Sequence, residues 1–170
     1  KNVGKFDALV LTGSTILRKY RNSSQLPGTL TLDGDLDGLL RLSRQAEAYF
    51  HQVERQGGAE DPRALERPVV ILQGISHWSF SSGDLPSNVK QNDLRAEQSQ
   101  PTGHRMIGEA VSTYLDFRFG KSATARQRMV KAVQQTGEML QPLIQALKME
   151  GYHYLQPPCN SDYPTNPTCQ

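Results

Sequence analysis

The chain has 170 residues, of which 36% are hydrophobic and 21% are charged, and its formal net charge is +2. This length and composition fit one folded domain with a buried core and exclude a disordered chain. The small net charge argues against nucleic acid as a partner, and no apolar run approaches the roughly 20 residues of a membrane span.

Three apolar segments predict the strands of a parallel sheet. They are FDALVLTG at residues 6–13, TLTL at 29–32 and PVVILQ at 68–73. The polar residues 14–25 are predicted to connect the first two strands, with at most a helical turn.

Amphipathic helices are predicted between and after the strands, because apolar residues recur there at three- and four-residue spacing. Pro142 is expected to break or kink the last helix into two pieces. Two further segments are predicted to lack regular structure: a charged linker at 59–67 and a long loop at 79–103. The predicted helices cover residues 39–55, 103–119 and 122–150.

This order of elements is typical of an α/β fold with a parallel sheet. Three strands are few for such a fold, and both faces of a parallel sheet need a cover. We therefore expect the sheet to be truncated on its amino-terminal side. The expected organisation is a core at 1–120, a helical extension at 121–150 and a proline-rich tail at 151–170.

Two polar motifs follow neighbouring strands, at the end of the sheet where open α/β proteins hold their sites. GDLDG at 34–38 follows the second strand, and GISH at 74–77 follows the third. A carboxylate bonded to an imidazole fixes the histidine tautomer and stabilises its protonated form. The sequence therefore predicts a contact between His77 and a carboxylate of the first motif, Asp37 or Asp35.

These motifs, in this order, resemble the α/β-hydrolase superfamily, in which the nucleophile precedes the acid and the acid precedes the histidine. TLTLDGDLDG is similar to the acid strand and its turn, PVVILQGISHWSF to the histidine strand and its loop, and FDALVLTGS to the strand before the acid strand. The resemblance covers roughly residues 6–119. It implies a three-layer parallel sheet, with Asp37 and His77 as catalytic residues and Ser76 and Trp78 in a possible substrate pocket.

The Gly-x-Ser-x-Gly turn that supplies the nucleophile in that family is absent from the sequence. We therefore expect the carboxy-terminal half of a serine hydrolase, which is inactive alone and requires an upstream half of the same fold. The resemblance implies a small-molecule or lipid-like ester, thioester or amide substrate, with no metal and no organic cofactor. A second hypothesis is a non-catalytic binding or structural module, because a fold does not fix a function.

Two other readings of the same motifs are weaker. The run Asp33-x-Asp35-x-Asp37-Gly38 opens like a calcium loop, but Arg41 and Arg44 stand at its ninth and twelfth ligand positions. Ser76 could itself be a nucleophile, but Trp78 replaces the second glycine of the turn and a loop follows in place of a helix. The remaining histidines are expected at the surface: His51, His104 and His153.

The tail contains the only two cysteines, Cys159 and Cys169, in a proline-rich segment that cannot pack a core. We expect a local disulfide between them, with two free thiols as the alternative. Asn22-Ser23-Ser24 matches the glycosylation acceptor pattern. Together these features favour a secreted or endomembrane-lumen protein, with a cytoplasmic location as the alternative.

Overall fold

The computed structural model describes residues 6–155, without the side chain of His153. Its three strands form an open parallel sheet in the order β1-β2-β3, which confirms the predicted parallel α/β arrangement. The central strand β2 is buried at all seven residues, as expected for a parallel strand covered on both faces. The strands are β1 (Ala8–Thr12), β2 (Gly28–Gly34) and β3 (Val69–Leu72).

Five α-helices accompany the sheet within the described residues, and none of them is long and apolar enough to cross a bilayer. The first long helix begins three residues later than predicted, and the second begins three residues earlier. They are α1 (Leu42–Gln52), α2 (Pro62–Glu66), α3 (Ser87–Asn92), α4 (Gln100–Arg118) and α5 (Ala123–Met149). Short 3₁₀ turns occupy Arg18–Tyr20, Glu54–Gln56, His77–Phe80 and His153–Leu155.

The prediction that residues 59–67 form an irregular linker is wrong, because α2 lies within them. Asp61 accepts a hydrogen bond from the Arg63 backbone N–H, and Pro62 occupies the first turn, where its missing N–H costs nothing. The predicted loop 79–103 likewise contains α3 and the start of α4. A helix of five residues is too short to show hydrophobic periodicity, and here the Asp61 cap stabilises it instead.

The prediction that Pro142 breaks the last helix is also wrong. Helix α5 continues through Pro142 from Ala123 to Met149. Proline removes one backbone hydrogen bond from a helix. Leu140 and Ile144 on either side of it are fully buried, so packing against the core holds both turns in place.

The core lies between the sheet and helices α1, α4 and α5. Thr136 on α5 joins that helix to the edge strand, because its Oγ1 accepts a hydrogen bond from the Ile71 N–H at 2.9 Å and donates to the Ala132 carbonyl at 2.9 Å. The buried residues of α5 recur at helical spacing and face this core: Ala125, Met129, Val133, Thr136, Leu140, Ile144 and Leu147.

A buried ion cluster attaches the 14–25 connection to α1. The Glu47 side chain is fully buried and accepts hydrogen bonds from Arg18, Arg21 and Arg44. Burial alone would raise the pKa of Glu47, but the bonds from Arg18 and Arg44 and the arginine charges lower it to about 2. Glu47 is therefore ionised whenever the protein is folded near neutral pH.

Candidate active site

The turns that follow β2 and β3 are joined through their backbones. The Leu36 N–H donates to the Ile75 carbonyl at 3.0 Å, and the Asp35 N–H donates to the Leu72 carbonyl at 3.2 Å. The two motifs singled out in the sequence therefore lie side by side at the carboxyl end of the sheet. We call the residues 34–38 the acid turn and the residues 74–80 the base turn.

Asp37 and His77 are in contact, as predicted. Asp37 Oδ2 lies 2.7 Å from His77 Nδ1. The other carboxylate oxygen, Oδ1, accepts hydrogen bonds from the backbone N–H groups of Leu39 and Leu40, both at 2.8 Å. The Asp37 side chain is fully buried, whereas 29% of the His77 side chain is exposed. The carboxylate is therefore fixed by the backbone, and the imidazole connects it to the surface.

This geometry defines the tautomer of His77. A carboxylate can only accept, so Nδ1 carries the proton and donates it to Asp37. Nε2 is then the nitrogen with a free lone pair, and the hydrogen bonds found among the described residues include none to it. An imidazole held in this way can take a proton at Nε2.

Asp35, the alternative acid, has a different partner. Its Oδ1 accepts a hydrogen bond from the Gly74 N–H at 2.7 Å and so fixes the start of the base turn. The structure thus places Asp37, and not Asp35, against the imidazole.

Asp33 lies inside the sheet at the end of β2, and it is fully buried. Its Oδ1 accepts a hydrogen bond from the Gly34 N–H at 2.9 Å, but Oδ2 receives none from the described residues. Burial raises the pKa of Asp33 to about 8, and Asp37 adds to the rise through hydrogen bonding and charge. Asp33 is therefore largely protonated at neutral pH.

The three carboxylates of the DxDxD run do not converge on one point. Asp33 is buried in the sheet, Asp35 accepts from Gly74, and Asp37 accepts from His77. The part of the chain that the structure describes contains no group of three or more potential metal ligands. The calcium-loop reading of this run has no support in the structure.

A cavity of about 480 Å³ adjoins the base turn, and Ser76 and Trp78 both line it. Trp78 is 41% exposed. Ser76 is buried and precedes a 3₁₀ turn, which differs from the strand-to-helix turn of a nucleophilic serine. Among the other lining residues are Lys90, Asp93, Leu94, Arg95 and Gln98.

The structure brings two residues to the site that the sequence did not single out. Gly13, which follows β1, packs directly against the His77 ring. Asp93, which follows α3, accepts hydrogen bonds from the backbones of both turns. Neither residue type carries a recognisable signal in a single sequence, because one contributes only its lack of a side chain and the other binds backbone atoms far away in the chain.

The prediction that His51 lies at the surface is wrong, since only 7% of it is exposed. Its Nε2 donates to the Tyr154 carbonyl, and burial, with a contribution from the charge of Arg21, lowers the pKa of His51 to about 4. His104 is exposed, as expected. His51 is therefore neutral near pH 7 and has a structural contact to the Tyr154 backbone.

The remaining sequence predictions concern the periphery of the chain. Asn22 is exposed in the connection between β1 and β2. Cys159 and Cys169 lie outside the described residues. No protein-family model, curated protein or solved structure matches the chain, so the functional argument rests on the geometry of the site.

Proposed function

We propose that this chain supplies the acid and the base of a serine hydrolase of the α/β-hydrolase type. The observation that carries the proposal is the 2.7 Å contact between Asp37 Oδ2 and His77 Nδ1, at the carboxyl ends of adjacent parallel strands. Two backbone N–H groups fix the carboxylate, and the partly exposed imidazole presents Nε2. This is the arrangement required of a general base and the residue that orients it.

In this proposal His77 Nε2 takes the proton of a serine hydroxyl as the serine oxygen attacks the carbonyl carbon of an ester, thioester or amide. Asp37 stabilises the imidazolium that results and keeps the ring in one orientation. The imidazolium then gives its proton to the leaving oxygen, sulfur or nitrogen. In the second half of the reaction Nε2 takes a proton from water as the water oxygen attacks the acyl carbon. The bond between the acyl carbon and the serine oxygen then breaks, and the imidazolium returns its proton to the serine oxygen.

The nucleophile in this proposal comes from outside residues 6–155. Ser76, the serine next to His77 in the chain, is buried and lacks the turn that activates such a residue. Within the described part of the chain, β1 pairs only with β2, so its outer edge is free to pair with another strand. The residues of β1 are half-buried along most of their length, which suits a strand that a neighbour would cover further.

The cavity beside the base turn is the proposed substrate pocket. Its volume of about 480 Å³ lies within the range of small-molecule sites. Trp78 and Leu94 give it apolar surface, and Arg95 gives it a positive charge. This lining supports a small-molecule or lipid-like ester as the substrate.

An activity-based fluorophosphonate probe tests the proposal. We expect no labelling of the 170-residue chain, and labelling of the complete gene product at a serine outside residues 6–155. His77→Ala should abolish that labelling. Asp37→Asn should lower the rate by on the order of 10⁴, because it favours the wrong histidine tautomer.

Asp35→Asn is the matched control, since it neutralises a carboxylate two residues away that does not contact His77. It should cost far less than Asp37→Asn. Labelling of Ser76 in the chain alone would assign the nucleophile differently. Undiminished labelling of the gene product without His77 would refute the proposed roles of His77 and Asp37. Absence of labelling in the wild-type gene product would favour a non-catalytic module instead.

A further inference from the structure

Asp93 is a carboxylate whose partners are all backbone N–H groups near the candidate site. Its Oδ1 accepts from Gly38 at 3.0 Å, from His77 at 3.1 Å and from Leu94 at 3.0 Å. Its Oδ2 accepts from Trp78 at 2.7 Å. Gly38 belongs to the acid turn, and His77 and Trp78 belong to the base turn. One carboxylate oxygen therefore binds both turns.

These bonds satisfy groups that the turns cannot satisfy themselves. His77 and Trp78 begin a 3₁₀ turn, and the first N–H groups of a helical turn have no partner within it. Bonds from an N–H to a carboxylate are about twice as strong as bonds between neutral groups. Asp93 thus contributes more to the position of the base turn than a neutral capping residue would.

Asp93 is also ionised near neutral pH. Its partial burial would raise the pKa, but hydrogen bonds from the N–H groups of Gly38, Trp78 and His77 lower the pKa below its usual value. The same N–H groups that Asp93 positions therefore maintain its charge.

The backbone of residues 92–94 packs directly against Gly38 in the acid turn. A methyl group added at Gly38 would lie 2.2 Å from the Asn92 carbonyl oxygen and 2.7 Å from the Asp93 Cα. The end of α3 therefore rests directly on the turn that carries Asp37. A shift of this segment would move both the acid turn and the base turn.

We propose that Asp93 is a positioning residue, whose carboxylate holds the acid turn and the base turn in the register that brings Asp37 to His77. Its catalytic meaning rests on the proposed function, whereas its effect on the geometry of His77 does not. Asp93 does not touch the reacting atoms in this proposal. It acts through the backbone of the residue that does.

Nuclear magnetic resonance on the ¹⁵N-labelled chain measures this effect directly. The ring ¹⁵N shifts of His77 report its tautomer, which should be the Nδ1–H form in the wild type. Asp93→Ala should mix the two tautomers. It should also accelerate hydrogen exchange at the Gly38, His77 and Trp78 amides by roughly ten- to a hundredfold, the effect of losing a bond to a charged group. The amide of the central-strand residue Thr31 should keep its wild-type rate.

Asp84→Asn is the control, because it removes the same charge from the segment just before α3, whereas Asp93 follows α3. The Asp84 side chain is 83% exposed, and Lys90 is its one partner among the described residues. It should change neither the His77 tautomer nor the three amides. If Asp93→Ala does not fold, Asp93→Asn decides the question, since it keeps the shape of the side chain but replaces an accepting oxygen with an N–H₂ group. It should accelerate exchange at Trp78 or at the Gly38 and His77 pair.

In the complete gene product, Asp93→Ala should lower kcat at least tenfold, because it misplaces the base. Asp93 also lines the proposed substrate pocket, so the tautomer and amide-exchange measurements, and not KM, distinguish its positioning role from a substrate contact. An unchanged tautomer and unchanged amide exchange in both variants would overturn the proposal. Faster amide exchange in Asp93→Ala, together with hydrolysis that does not depend on His77, would refute the proposed function alone.

Discussion

Replacement of Gly13 by alanine tests whether the contact between Asp37 and His77 depends on β1, the strand that pairs with β2 on the side away from β3. Gly13 follows β1, donates its N–H to the Leu32 carbonyl at 3.0 Å, and has a left-handed φ of +57°. A methyl group on it would lie 2.8 Å from His77 Cε1, 2.9 Å from Nδ1 and 3.6 Å from Asp37 Oδ2. Glycine is thus required both by the backbone conformation and by the space that the imidazole occupies.

The expected cost has two parts. An alanine in the left-handed region costs roughly 1–2 kcal/mol. Carbon atoms normally approach to about 3.5 Å at the closest, so the ring would have to retreat by about 0.7 Å. A retreat of that size along the bond would stretch the 2.7 Å contact to the edge of hydrogen-bonding distance. Loss of a bond to a carboxylate adds about 1.5–3 kcal/mol.

Gly151→Ala separates the two parts. Gly151 has a similar φ of +68°, and a methyl group there would have no neighbour within 4 Å. Urea denaturation should therefore show a loss of about 1–2 kcal/mol for Gly151→Ala and a larger loss for Gly13→Ala. The ¹⁵N shifts of His77 should change in Gly13→Ala alone. Equal destabilisation by the two variants, with an unchanged His77 tautomer, would refute this account of the site.

Three further predictions concern buried groups. The pKa of Asp33 is about 8 in the folded state and near 3.9 in the unfolded chain, so the free energy of unfolding should fall as pH rises between these two values. Asp33→Asn should remove that part of the pH dependence, as measured by urea denaturation at several pH values. Glu47→Gln should destabilise the fold by about 3–5 kcal/mol at neutral pH, because it leaves arginines without their carboxylate. Since the pKa of Glu47 is about 2 in the folded state, its contribution should disappear as pH falls from about 4 to 2, and variant and wild type should converge there. Thr136→Val should cost about 1–3 kcal/mol and speed amide exchange at Ile71, whose N–H loses its acceptor; equal exchange rates would contradict this.

The sequence was sufficient for the strands and the long helices because their signals are local and repeated. Apolar runs that end in glycine or acidic turns marked β1, β2 and β3, and the three- and four-residue spacing marked α1, α4 and most of α5. The contact between Asp37 and His77 followed from topology, since adjacent parallel strands bring their carboxyl ends to one edge. Asp37 and His77 follow the ends of β2 and β3 within a few residues, so predicting where the strands end also locates the two side chains.

The features that sequence reasoning missed depend on contacts between distant segments. His51 is buried because the Tyr154 carbonyl, 103 residues away, accepts its Nε2–H. Pro142 remains inside a helix because the residues around it are buried against the core. Asp93 binds amides 15 and 16 residues away, and a carboxylate in a polar loop gives no sign of that. Periodicity contains no information on such pairings.

The four aspartates near the ends of β2 and α3 show how position assigns different roles to the same side chain. Asp33 is deprived of solvent and holds a proton, Asp35 binds the Gly74 N–H, and Asp93 binds both turns from outside the sheet. Only Asp37 meets an imidazole. Its own carboxylate is held by backbone amides, and the backbone of His77 is held by Asp93. Residues of the described part of the chain therefore hold Asp37 and His77 in contact, and what the proposed reaction still requires is a nucleophile within reach of His77 Nε2.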